Sequence, residues 1–408
     1  MKFKVTENGR GSNIGREELQ AIEDVINNSQ TLAYGPLRDK FEQEFANYCK
    51  AAYAISATSA TTALHMAGQI LGLKEGDEII GTPQTFRATY TSLVGRNVNI
   101  KFADIDPTTL NIDPSTIENK ITAKTKAIYV MHYGGNPVDM DPVMDIARKH
   151  GLAVVEDAAH APGAEYKGKK IGSIADITCF SFHSLKNMST LGEGGMITTN
   201  NPQYASAAKK LRTMVFLGEK VAREDTSIGP NPMPVPKLSD HADESYTEDF
   251  VRIDDWGSNY RMSEAQAAVG SVQLRKLDEM NRQRANVARL YTEGLSKVEG
   301  IRVPVTTPNS LNVWHLYPCF IDTKIVKATR EEFIRYLENE KGVQIILRYF
   351  PVHLSDYMRF MGHKYGECPV CEQVWFHEQI NLPINPRMKE EEIAYAVESI
   401  REAVEHFK

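Results

Sequence analysis

Apolar positions along this chain follow two alternating rhythms. At Glu17 to Asn28 they recur at Leu19, Ile22, Val25 and Ile26, and at Leu37 to Cys49 they recur at Phe41, Phe45 and Tyr48. Both spacings predict one buried face of an α-helix. Short, nearly continuous apolar runs occupy Tyr53 to Ser56, Glu78 to Gly81, Ile100 to Ala103, Ala127 to Met131, Ala153 to Glu156, Ile177 to Phe182 and Met196 to Thr199. Each is bounded by turn residues or by a helical pattern such as Ala63 to Leu71. Continuous rather than alternating runs predict strands covered on both faces. Strands alternating with helices predict a largely parallel α/β sheet.

The rhythm breaks at Thr213 to Ser258, which holds a proline-rich stretch, Gly229 to Pro236, and an acidic run, Asp240 to Glu248. It is too long for a plain connection. A lid over a substrate is the expectation, with surface packing as the alternative, and the acidic run reads as a solvated loop. Met262 to Leu295 predicts one long amphipathic helix with Leu274, Leu277 and Met280 on its apolar side. From about Gly300 the strand–helix pattern restarts, most clearly in the helices Arg330 to Glu340 and Lys389 to Phe407. The expected organisation is a large domain over residues 1–272, with 213–258 as an irregular insertion. A linking helix and a smaller C-terminal domain follow over 273–408.

Composition narrows the function classes. The chain has 408 residues, 42% hydrophobic and 25% charged, ordinary for a globular protein. Its net charge of -6 is spread without a basic block, which argues against nucleic acid as a partner. No stretch approaches the ~20 apolar residues of a membrane span, and Met1 to Gly11 carries no secretory pattern. An odd, sparse set of cysteines (Cys49, Cys179, Cys319, Cys368, Cys371) points to reduced thiols and a cytoplasmic setting. Cys368-Pro-Val-Cys371, with His363 and His377 nearby, has the spacing of half a metal site. A structural zinc site wants a second ligand pair, which is missing, so no metal is expected.

Three strand ends carry chemistry. Glu156-Asp157-Ala158-Ala159-His160 follows one apolar run. A carboxylate there is costly unless it meets a cation, such as a protonated pyridine nitrogen. Capping of the next helix is the alternative. Cys179 to Lys186 runs from a strand through a polar turn to a lysine, and Gly192-Glu193-Gly194-Gly195 follows. A lysine desolvated by the fold becomes a nucleophile or base, and glycines allow close backbone approach to a ligand. Thr58-Ser59-Ala60-Thr61-Thr62 offers backbone N–H groups and hydroxyls to an anion, or simply a helix cap. A lysine, a ring-facing carboxylate and a phosphate cradle are together what pyridoxal 5'-phosphate (PLP) requires.

With those residues in view, the chain resembles the DegT/DnrJ/EryC1/StrS aminotransferases, a sugar-aminotransferase branch of fold-type I PLP enzymes. The likeness runs from about Gly11 to Lys408. Besides the blocks above it rests on Tyr34 to Leu37, Thr82 to Thr89, Asp104 to Pro107, Ser181 to Asn187, Asn259 to Glu264 and Trp314 to Tyr317. The resemblance implies a mostly parallel, mixed seven-stranded sheet between helices and a smaller C-terminal α/β domain. It implies that Lys186 carries the cofactor covalently and that Asp157 pairs with its ring nitrogen. His160 would lie near the ring and Phe86 would stack on it. Ala60, Thr61 and Ser181 would bind phosphate, and Asn259 would reach the phosphate of a neighbouring subunit's cofactor, giving a homodimer with shared sites. His183 and His315 are candidate substrate contacts, with a local turn contact as the equal alternative for His183. The implied reaction is a ping-pong transamination from glutamate or glutamine to a keto sugar, nucleotide-linked, or to a keto cyclitol. Relatives that dehydrate sugars carry histidine at the lysine position, so Lys186 favours transamination. A non-catalytic regulator on the same fold is disfavoured by Lys186, Asp157 and Ser181. One departure is Ala60, where relatives carry glycine. Donation from its N–H survives there only if its φ is negative.

Overall fold

All seven apolar runs form strands of one sheet in the computed structural model, which describes residues 3–7, 9–33, 35–213 and 257–408. The strands are β1 (Tyr53–Ala57), β2 (Glu78–Gly81), β3 (Asn99–Phe102), β4 (Thr125–Met131), β5 (Ala153–Asp157), β6 (Ile177–Ser181) and β7 (Gly195–Thr199), in the order β1-β7-β6-β5-β4-β2-β3. β7 runs antiparallel to both neighbours. The remaining pairs are parallel.

Successive side chains on a strand point to opposite faces, and here both faces are covered. One face carries Ile55, Ile79, Tyr129, Val155, Ile177 and Ile197 against α3 (Ala60–Ile70), α4 (Ala88–Val94) and α6 (Pro202–Arg212). The other carries Ala54, Ile80, Ile128, Val154, Phe180 and Met196 against α2 (Pro36–Cys49), α5 (Met140–His150) and the first half of α7 (Glu264–Leu295). This double burial is why the runs read as continuous.

Boundaries moved where caps decided them. The helix expected from Ala63 starts at Ala60, because the Ser59 hydroxyl accepts from the Thr62 N–H at 3.2 Å. The long helix starts at Glu264 behind Ser263, whose hydroxyl accepts from the Gln266 N–H at 3.3 Å. The helix expected over Arg330 to Glu340 keeps regular turns only to Tyr336 as α8 (Arg330–Tyr336). Its last turn widens over Leu337–Lys341 and stops at Gly342, which has φ +67.

A second core lies beyond the sheet. The three-stranded sheet of β8 (Ile301–Arg302), β9 (Tyr317–Ile321) and β10 (Gln379–Leu382) packs with α8, α9 (Glu390–Phe407) and the second half of α7. Val287, Tyr291 and Leu295 of α7 belong to this core, so one helix serves both. Val5 also joins it, bridging Val343. The segment 213–258 lies outside the described residues except at its ends, where the Ser258 N–H donates to the Leu211 carbonyl at 2.8 Å.

Candidate active site

Six strands share one direction, so their carboxyl ends line one edge, the place where open α/β sheets bind ligands. Asp157 ends β5 there and is 3% exposed. Its two oxygens accept from the Thr89 hydroxyl at 2.7 Å and the Ala159 N–H at 3.1 Å. Both donors are neutral. Burial raises its pKa, and Thr89, Ala159 and the charge of Lys186 only partly offset the rise. Glu156, one residue earlier, faces the opposite side, where it accepts from Thr178 and lies 3.4 Å from His132. Strand alternation therefore selects Asp157, not its neighbour, for the edge facing α4.

Lys186 sits beyond β6, in a turn held by its own N–H donating to the His183 carbonyl at 2.8 Å. Burial pulls its amine down to about 7, helped by the Arg348 charge and opposed by Asp157, Glu7 and Glu193. Near neutral pH the amine is thus largely poised between charged and nucleophilic forms. Its Nζ lies 3.5 Å from His315 Nε2.

Two of the glycines after Lys186 make room for parts of the chain itself. A Cβ on Gly195 would lie 2.3 Å from the Ser59 carbonyl carbon, and one on Gly194 would lie 2.0 Å from the Thr190 hydroxyl. Gly195 lets β7 close onto the start of α3 and Gly194 makes room for the Thr190 side chain, while a Cβ on Gly192 would meet open space.

His160 is 1% exposed and its ring lies between Tyr349 and His315, with centroid distances of 5.7 and 4.2 Å. Its Nδ1 accepts from the Gly134 N–H at 3.3 Å, which leaves the proton on Nε2, 3.0 Å from the Tyr349 hydroxyl. Burial pushes its pKa well below the usual value, so the ring is neutral. Phe86, 45% exposed, packs on Tyr349 at 5.5 Å from the loop after β2. Ala60 and Thr61 occupy the first turn of α3, and Ala60 is not among the residues with positive φ. Helical φ and ψ thus make alanine acceptable there. Ser181 ends β6 and its hydroxyl accepts from the His183 N–H at 3.3 Å.

Among the described residues, two expected residues make no side-chain hydrogen bond to this group. His183 accepts from the Leu185 N–H at 3.2 Å through Nδ1 and lies 3.8 Å from Glu193, a local turn arrangement. Asn259 is exposed ahead of α7, its backbone bridged to Thr213. The Cys368–Cys371 pair is buried, with burial raising both thiol pKa values, and Cys371 lies 3.4 Å from Gln84.

Sequence reasoning gave no role to Thr89, Tyr349 or Arg348. Thr89 lay inside a block that had been singled out, and its one-turn offset from Thr85 and Phe86 was its only signal. Tyr349 and Arg348 lie in the stretch between Gly342 and β10, from which Tyr349 packs against the first core, and no local pattern marks them.

A mostly parallel sheet with a desolvated lysine and a buried carboxylate at neighbouring strand ends defines the class of fold-type I PLP enzymes. The residues fit the cofactor: among the described residues the buried Asp157 carboxylate is hydrogen-bonded only by a hydroxyl and an amide and touches no cation, the partner that a protonated ring nitrogen would supply. The chain belongs to the DegT/DnrJ/EryC1/StrS aminotransferase family, whose family model matches residues 12–401, and it is a PLP-dependent transaminase. It is 37% identical to an uncharacterized protein of Methanocaldococcus jannaschii over 96% of each chain. It is 34% identical to the spore coat polysaccharide biosynthesis protein SpsC of Bacillus subtilis, over 96% of this chain and 95% of that one. The crystal structure of S. venezuelae DesV in complex with a ketimine intermediate superposes with a TM-score of 0.81 at 30% identity, covering 95% of this chain and 94% of that one. DesI in the presence of its TDP-sugar product gives 0.81 at 26% identity, over 99% and 93%. Among the described residues no helix is long and apolar enough to cross a membrane.

Proposed function

We propose that this enzyme moves an amino group from glutamate or glutamine to a nucleotide-linked keto sugar or a keto cyclitol. The observation that carries the reading is the Lys186 amine, held down to about 7, with Asp157 acting on it electrostatically. The polysaccharide role in the name of SpsC and the TDP-sugar of DesI support a sugar acceptor. Arg348, whose charge helps lower Lys186 and whose guanidinium pairs with Glu7 at 2.8 Å, supports a donor whose carboxylate competes for that guanidinium.

Lys186, Asp157 and His160 do the chemistry in this reading, and Ala60, Thr61, Ser181, Phe86 and Asn259 hold the cofactor. When bound, PLP supplies an aldehyde for amines and an electron-poor ring that stabilises negative charge at the donor's α-carbon. Lys186 Nζ would hold the cofactor at rest and would take the α-proton of the donor. Asp157 keeps the ring nitrogen protonated. The neutral His160 donates from Nε2 to Tyr349 and so presents no charge to the ring. The first N–H groups of α3, at Ala60 and Thr61, and the Ser181 hydroxyl serve the phosphate. Phe86 covers the ring. His183 and His315 border the substrate side. The domain division 1–272 and 273–408 fits this picture, with α7 as the link. The buried, free thiols support a reducing, cytoplasmic setting.

The reading is tested by loading the protein as its pyridoxamine form and supplying keto sugars with and without a nucleotide. A nucleotide-linked keto sugar is expected to regenerate the PLP absorbance fastest. If only simple oxo acids do so, the sugar assignment falls. Shared sites are tested by mixing inactive Lys186→Ala and Asn259→Ala subunits. Mixed dimers that hold one intact site will recover up to about a quarter of wild-type activity, because half of the randomly paired dimers are mixed and each has one good site of two. No recovery means that Asn259 serves its own subunit.

A further inference from the structure

We propose that His315 is a positioning residue for Lys186, fixed by an asparagine relay in the tautomer whose bare Nε2 accepts a hydrogen bond from the lysine amine. The inference rests on Lys186 as the cofactor-bearing amine but uses a chain of contacts on the other side of that amine.

The relay is read from its far end. Asn281, on α7, donates from Nδ2 to the Pro162 carbonyl at 3.0 Å. That leaves its Oδ1 to accept from Asn187 Nδ2 at 2.9 Å. Asn187 Nδ2 also lies 2.9 Å from the Val313 carbonyl, which can only accept. The amide orientation of Asn187 is therefore set from two sides, and its Oδ1 is the atom facing His315 Nδ1 at 3.1 Å. An oxygen at that place demands a proton on Nδ1. A neutral imidazole has only one, so Nε2 carries a lone pair, and Nε2 is the atom 3.5 Å from Lys186 Nζ.

The surroundings keep the ring neutral. His315 is 4% exposed, and burial together with His160, Lys186, Arg284 and Arg348 holds its pKa well below the usual value. Arg284 donates to the Trp314 carbonyl at 3.2 Å and so steadies the backbone beside the ring. Asn187 and Asn281 are both buried, and each side-chain amide has its partners. A satisfied network of this kind is rigid. It gives Lys186, a long side chain with four flexible bonds, one preferred direction whenever it is free of the cofactor. The cost of ordering such a chain is otherwise met at every turnover.

The test reads the ring and the amine separately in the full-length protein. Nitrogen NMR of the wild-type chain is expected to place the His315 proton on Nδ1. A proton on Nε2 overturns the proposal without any mutation. Lys186 reactivity toward trinitrobenzenesulfonate, read by mass spectrometry in cofactor-free protein across pH, is expected to have its midpoint near 7 in the wild type. Other groups coupled to this amine are Asp157, Glu7, Glu193, Arg348 and His160, and all remain in the variants. His315→Phe removes the acceptor that favours the charged amine, so the midpoint falls by about one pH unit or more. His315→Gln offers an amide oxygen in place of Nε2 and keeps the midpoint within about 0.3 unit of wild type. Equal midpoints in the wild type and His315→Phe overturn the proposal. If His315→Phe does not fold, the NMR assignment decides alone. Protection of Lys186 by added PLP reports on the cofactor assignment. Its absence would remove that assignment and leave the tautomer result untouched.

Discussion

Lys186→Ala is expected to lower transamination by about 10⁴-fold or more, because one amine serves both the covalent anchoring and the proton transfer. The loss will be equal in the donor and acceptor half-reactions, since both need the same atom. The visible absorption band of the lysine-bound cofactor will vanish, while free PLP still binds more weakly through its phosphate and ring. Stopped-flow spectra with each substrate alone check the point. A variant that keeps the band, or that loses only one half-reaction, would remove Lys186 from its assigned role. Small added amines are expected to restore part of the proton transfer but not the anchoring, which separates the two duties.

The second large effect belongs to Asp157→Asn. An amide cannot hold the ring nitrogen protonated as a carboxylate does, and each pKa unit lost there is worth ~1.4 kcal/mol. The donor half-reaction will slow by about 10²-fold or more, with a smaller change in cofactor affinity. A stability measurement accompanies it. Burial raises the pKa of Asp157 in the folded chain above its ordinary value of 3.8. As pH rises, the unfolded chain therefore loses this proton first, and the cofactor-free fold is weakened once the pH passes from 3.8 up through the folded value. Asp157→Asn has no such loss. Its cofactor-free form will melt above the wild type at neutral pH, and the difference will close toward pH 3.8. PLP will then raise the melting temperature less in the variant than in the wild type, because the wild type gains the missing cation. Equal gains would show that the carboxylate does not meet the ring.

Legibility of the fold came from double burial. A strand such as Thr125–Met131, with six of its seven positions buried, writes its whole length in apolar residues. Helices with one buried face write the other period. What stayed hidden were the ends, because a cap depends on one side chain such as Ser59 or Ser263 rather than on a repeat. The glycines after Lys186 were visible as glycines, yet their purpose was not. Only the tertiary structure shows that a Cβ on Gly195 would strike the start of α3 and one on Gly194 the Thr190 side chain.

The candidate site divides in the same way. Lys186, Asp157, His160 and Ser181 follow strands, and the sequence marks strand ends, so these residues could be chosen from local pattern and resemblance together. Thr89 under the Asp157 carboxylate, Tyr349 on His160 and the Asn187–Asn281 pair behind His315 join segments up to 189 positions apart. Nothing local connects them.

By itself, then, the order of residues determined the seven strands and their helices, since each depends on a repeat a few residues long, and through the resemblance it pointed to Lys186 and to a carboxylate at the end of β5. Tertiary structure decided which of two adjacent carboxylates faces the site, how far the lysine is desolvated, and which nitrogen of His315 is bare. Those properties are set by dielectric surroundings and by partners across space. Neither exists until the two cores close around the same edge of the sheet.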